Sequence, residues 1–142
     1  MFSGRHKGCP ATLYYVEAAD GGDPFAPAAA DGARDRLIFL AGPEFAAPAQ
    51  AAGLELRFGR INFDRAGAAF VSERRWADRA LREWLLPSSP ASGPLSPPAL
   101  LSERSSEDRY ADPGAPLLDS AGYIVRTAAG EMVLGGLGAC DL

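Results

Sequence analysis

Large apolar side chains fall in short groups along this chain, separated by Gly, Pro and Asp, and that pattern predicts a small core with long connections. ATLYYVEA (11–18) is rich in β-formers and predicts a strand, which ends where ADGGDP forces a turn. RLIFLAG (36–42) predicts a second strand, apolar enough to be buried on both faces. In PEFAAPAQAAG, Pro43 and Pro48 leave room for one weak helical turn at most. GLELRFGRINFD carries the clearest strand signal. Leu54, Leu56 and Phe58 alternate with Glu55 and Arg57, and the apolar parity then moves to Ile61 and Phe63. A slip of one residue at Gly59 and Arg60 is what a β-bulge or a sharp bend produces. GAAFVS (67–72) supplies a further short strand.

RRWADRALREWLLP (74–87) reads as the principal helix. Ser72 caps it, Glu73 suits the positive end of its dipole, and Pro87 stops it. Trp76, Ala77, Ala80, Leu81, Trp84 and Leu85 form one stripe at helical spacing, with Asp78–Arg82 and Arg79–Glu83 pairs opposite. PSSPASGPLSPP (87–98) has five prolines in twelve residues and predicts an extended arm, which ALLSERSSEDRYADPGAP continues. GYIVRTAAGEMVLGG predicts a hairpin turning near Ala128 and Gly130. The fold class expected is therefore α+β: a small, mostly antiparallel sheet or partly open barrel of five or six short strands, with one principal helix and a long Pro-rich arm. It would be a single domain over 1–142, with strands and helix in 11–86, the arm in 87–118 and the closing hairpin in 119–137.

Size and composition fit that picture. A chain of 142 residues with 47% hydrophobic residues has room for one core, although much of the figure is alanine. Thirteen arginines stand against a single lysine, with three isoleucines and one asparagine. GC-rich codons account for that skew without invoking chemistry. The net charge of −4 argues against general nucleic-acid binding. Charge is uneven, however: residues 57–82 hold seven arginines against three acids. Acidic neighbours in the fold would neutralise this island, and a polyanion-binding module through Arg57 to Arg82 is the alternative. No apolar run approaches the length a membrane-spanning helix needs, and MFSGRHKGCP lacks the apolar stretch of a signal peptide. The expected location is cytoplasmic or within an assembled particle.

Candidate chemistry is sparse. His6 is the only histidine, so a Ser-His-Asp triad would depend on a residue near a terminus, with no nucleophile-elbow motif to support it. His6, Cys9 and Cys140 are zinc-type ligands, but their spacing matches no recurrent site, and spacing does not say whether the two cysteines pair. Asp20 and Asp23 resemble the start of a calcium loop whose ligand series then stops. GGLG (135–138) lacks a nucleotide-binding pattern. The expectation is no catalytic, cofactor or metal residue.

The function expected is therefore that of a non-enzymatic structural or interaction protein. It would be a subunit of a larger assembly such as a virus or phage particle, docking on protein subunits through its arm and termini. Candidate contacts are Trp76, Arg75, Arg79 and Arg82, because Trp and Arg are enriched at interface hot spots, and Pro94, Pro97 and Pro98 on the arm. Trp84 is assigned to the core. The alternative is a small-ligand-binding, barrel-like domain or carboxylate-based enzyme with a cavity lined by Tyr14, Phe39, Phe58 and Phe63.

Overall fold

The computed structural model describes residues 2–4 (backbone pairing only), 11–88 and 96–136. Every regular element among them is a β-strand, which overturns the α+β expectation: the fold is all-β. Strands β1 (Phe2–Gly4), β2 (Thr12–Ala18), β3 (Asp35–Ala41) and β4 (Ala49–Leu54) form one antiparallel sheet in chain order. Strands β5 (Arg57–Phe63), β6 (Ala69–Arg75), β7 (Ala80–Leu86) and β8 (Ala99–Ser105) form a second sheet of the same design. A small third unit contains β9 (Ala115–Pro116) and β10 (Leu134–Gly135).

The expected principal helix is a hairpin. β6 pairs with β7 from Ala69↔Leu86 to Arg75↔Ala80, and residues 76–79 make the turn. Ala, Leu, Arg and Glu all favour helices locally, but β6 gains ladders on both sides, to β5 and β7, and pairing overrides so weak a preference. The two flanks also satisfy a period of two. Val71 and Glu73 share a face with Trp84 and Leu86, while Phe70 and Ser72 point the other way with Leu85 and Glu83. The turn itself is set by Arg79 at φ 60° and by the Asp78 carboxylate, which accepts from the Ala80 amide at 3.2 Å.

GLELRFGRINFD is two strands. Glu55 and Leu56 lie between β4 and β5 and carry the chain from the first sheet to the second. The predicted slip is present as a bulge, since the β5–β6 register shifts between Phe58 and Arg60. Gly59 is needed there, because a Cβ on it would lie 2.6 Å from the Ser72 hydroxyl. The expected arm also contains structure: β8 adds to the edge of the second sheet through Ala80↔Ser105 to Leu85↔Ala99.

The two sheets share one core. Tyr14 and Leu37 of the first pack with Ile61, Phe63, Val71 and Leu86 of the second, and Phe39, Phe58 and Trp84 close around them. The third unit is tied to the second sheet where the Ile124 amide donates to the Phe63 carbonyl at 2.8 Å. Within it, Val125 donates to Leu117 at 2.8 Å and Val133 to Val125 at 3.1 Å, around a turn at residues 128–130.

Candidate functional site

The β6–β7 hairpin carries an unusual tip. Trp76 is 75% exposed, and the Arg79 guanidinium sits 4.0 Å from its ring centroid. Arg79 also pairs with Glu107 at 3.3 Å. Arg75 clasps Asp78 with a two-point contact at 3.0 and 2.6 Å. That guanidinium holds the Asp78 carboxyl down at about 2. The tip thus presents one large aromatic ring and its stacked cation on a turn that is internally braced.

The other predicted contact residues are placed differently. Arg82 is half-buried and held between two exposed carboxylates, 2.7 Å from Glu55 and 3.0 Å from Glu103. Pro97 is exposed and Pro98 half-buried, both just before β8, while Pro94 lies outside the described residues. Trp84 is half-buried against the core and donates its indole N–H to Glu73 at 2.9 Å.

Glu73 is a hub that the sequence reading missed, having assigned it to a helix start. Its carboxylate is 1% exposed and also accepts from the Leu56 amide at 2.9 Å. It therefore pins the crossing between sheets to the middle of β7. A second hub joins the sheets at their margin. Asp20 accepts from Arg34 at 2.9 Å and from Arg57 at 2.7 Å, and Arg57 continues to Asp35 at 2.8 Å. Those two guanidiniums hold the Asp20 carboxyl well below the usual carboxylate range. No local signal in the sequence links Asp20 to Arg57. The resemblance of Asp20 and Asp23 to a calcium loop is explained instead by these pairs and by a turn in which Asp23 accepts from the Phe25 amide at 2.9 Å.

The basic island is largely paired internally. Besides those already named, Arg60 lies 3.9 Å from Glu83 and Arg65 2.8 Å from Asp119. Among the described residues, Arg74 is the one arginine of that island with no acidic partner. The aromatic residues proposed to line a cavity pack on one another, with Tyr14 5.9 Å from Phe39 and 5.1 Å from Phe63 between ring centroids. No group of three or more His, Cys, Asp or Glu among the described residues is arranged to hold a metal ion. His6, Cys9 and Cys140 lie outside them. No helix of the described residues is long and apolar enough to cross a membrane.

Two known proteins resemble the chain across most of its length. One, from Oryza sativa subsp. japonica, is named probable glutamyl endopeptidase, chloroplastic; it is 34% identical over 128 residues, covering 88% of this chain. Its namesake from Arabidopsis thaliana is 36% identical over 124 residues, covering 82% of this chain. The chain spans only 12% of the length of either relative. No protein family and no solved structure matches it.

Proposed function

We propose that the chain is a non-enzymatic contact module: two stacked β-meanders that act through shape within a larger, peptidase-like protein or assembly. The carrying observation is the repetition of one design. Two consecutive four-stranded antiparallel sheets, each in chain order, stack on a shared core, and a third β-unit continues from the β5 edge of the second and borders its outer face. Radially repeated sheets of this kind build β-propellers, where each blade covers the face of the one before it and leaves only short edges. The resemblance to a short stretch of much longer peptidases supports this reading, since such a module is one part of a protein whose chemistry resides elsewhere. Nothing in those relatives supports a virus or phage particle. The Trp76 tip and the β8 edge are the surfaces offered to neighbours.

The test is to recover the native protein through an affinity tag, size it under non-denaturing conditions and assay it on glutamyl-containing peptides. The reading expects the 142 residues to travel within a larger species, and the chain on its own to leave such peptides intact. A free 14.9 kDa monomer that cleaves them would contradict it. The relatives' name favours a second reading, in which the larger protein is itself a glutamyl endopeptidase and this stretch belongs to its framework.

A further inference from the structure

The second sheet also has a face turned away from the shared core. It carries a groove of about 510 Å³, bounded on one side by β5–β8 and on the other by the third unit. Two rows of the sheet supply the floor. Arg74, Leu81 and Arg104 are cross-strand neighbours in one row; Arg60, Ser72 and Glu83 are neighbours in the next. The opposite wall is formed by Asp112, Ala115 and the backbone of three glycines. Gly114 and Gly136 approach so closely that a Cβ on Gly136 would lie 2.9 Å from the Gly114 Cα, so no side chain fits at that point of the wall.

The charges in the groove do not balance. Arg60 reaches Glu83 only at 3.9 Å, while Glu83 is 3% exposed and already accepts from the Ser102 hydroxyl at 2.6 Å. Arg104 meets Asp112 at 3.0 Å with a side chain only 8% exposed, yet its Nε has no hydrogen-bond partner. Arg74 faces the same space, exposed and without an acidic partner among the described residues. Three guanidiniums against two carboxylates leave a surplus of one positive charge. That surplus matches a single carboxylate better than a doubly charged phosphate. Leu81 and Ala115 add an apolar surface for the aliphatic stem of such a side chain.

We infer that this groove binds an acidic peptide segment, with one of its carboxylates held by Arg74 beside Arg104. The planar fork of arginine suits two-point capture of a carboxylate. This goes beyond the contact role and does not rest on it, since binding is a property of the 142-residue chain by itself.

The experiment is fluorescence anisotropy on the full chain with a labelled Gly-Glu-Gly-Glu-Gly peptide and its glutamine counterpart. The glutamate peptide binds, the glutamine peptide does not, and added salt weakens the complex. Arg74→Gln weakens it by about tenfold, the usual consequence of losing a charge-assisted bond, with an unchanged melting temperature. Arg109→Gln, at an exposed arginine outside the groove, leaves binding unaltered. Equal binding of the two peptides, no binding at all, or wild-type affinity in Arg74→Gln would overturn the assignment. Displacement by inorganic phosphate at far lower concentration than by acetate would also overturn it, in favour of a phosphate site.

Discussion

Glu73 and the two tryptophans show how differently similar residues behave once their surroundings are fixed. Removing the Glu73 carboxylate strands the Leu56 amide and the Trp84 indole N–H in the interior. Glu73→Ala is therefore expected to cost about 1–3 kcal/mol for each donor left unpaired, read from the urea midpoint. Trp84→Ala should cost about 3 kcal/mol for lost packing. Trp76→Ala, at a position 75% exposed, should stay within about 0.5 kcal/mol. Equal costs for the two tryptophans would speak against this placement. Asp20 contributes to the pH dependence, together with Asp78 and Asp119, whose carboxyls are also held low by arginines and backbone amides. The folded Asp20 carboxyl titrates below the unfolded value because Arg34 and Arg57 donate to it, so its contribution is complete above about pH 4 and disappears as pH falls further. Thermal melts from neutral pH down to about pH 3 should lose stability in the acid range, and Asp20→Asn should flatten that part of the profile. An unaltered acid limb in the variant would remove Asp20 from the explanation.

Strands were legible wherever the alternation was internal to one segment. ATLYYVEA and RLIFLAG lie within a residue of β2 and β3, and the parity change at Gly59 and Arg60 marks a real bulge. The helix expected across Trp76 and Trp84 fails for a definite reason. Its apolar stripe mixes residues of a turn with residues from one flank of a hairpin, and ladder partners some ten residues away in sequence decide the outcome. β8 was hidden by the prolines before it, although none falls within Ala99–Ser105. The Asp20–Arg57 link spans 37 residues, beyond any local window, and the Glu73–Trp84 link runs across a hairpin that was read as a helix. The candidate contact residues fared likewise: sequence could place arginines near tryptophans, but not tell that Arg82 is tied up by Glu55 and Glu103 while Arg79 stacks on Trp76. The third unit depends on Gly114, which has φ +91° and sits where a Cβ would lie 2.7 Å from the Gly135 carbonyl oxygen. Gly114→Ala should loosen residues 111–136 selectively, giving new protease cleavage there with little change in the two larger sheets. Unchanged resistance would mean that the contact between Gly114 and Gly135 is not what holds the unit.

As an entity the chain is two meanders that need each other. Each four-stranded sheet has one face covered mainly by the other, with Tyr123 of the third unit added, and the apolar side chains between them form a single cluster. The arginine–carboxylate pairs at the margin, from Arg57 to Asp20 and Asp35, fix how the sheets meet rather than supplying most of the stability. Under the proposed contact role, the surfaces such a stack would offer a larger protein include the Trp76 tip and the arginine groove. Hydrogen exchange read by mass spectrometry probes that interdependence most directly. Amides of β2 and β3 and those of β5 to β7 should open together, with one free energy equal to that of global unfolding. Independent opening of either sheet, at a markedly lower free energy than the other, would contradict a shared core.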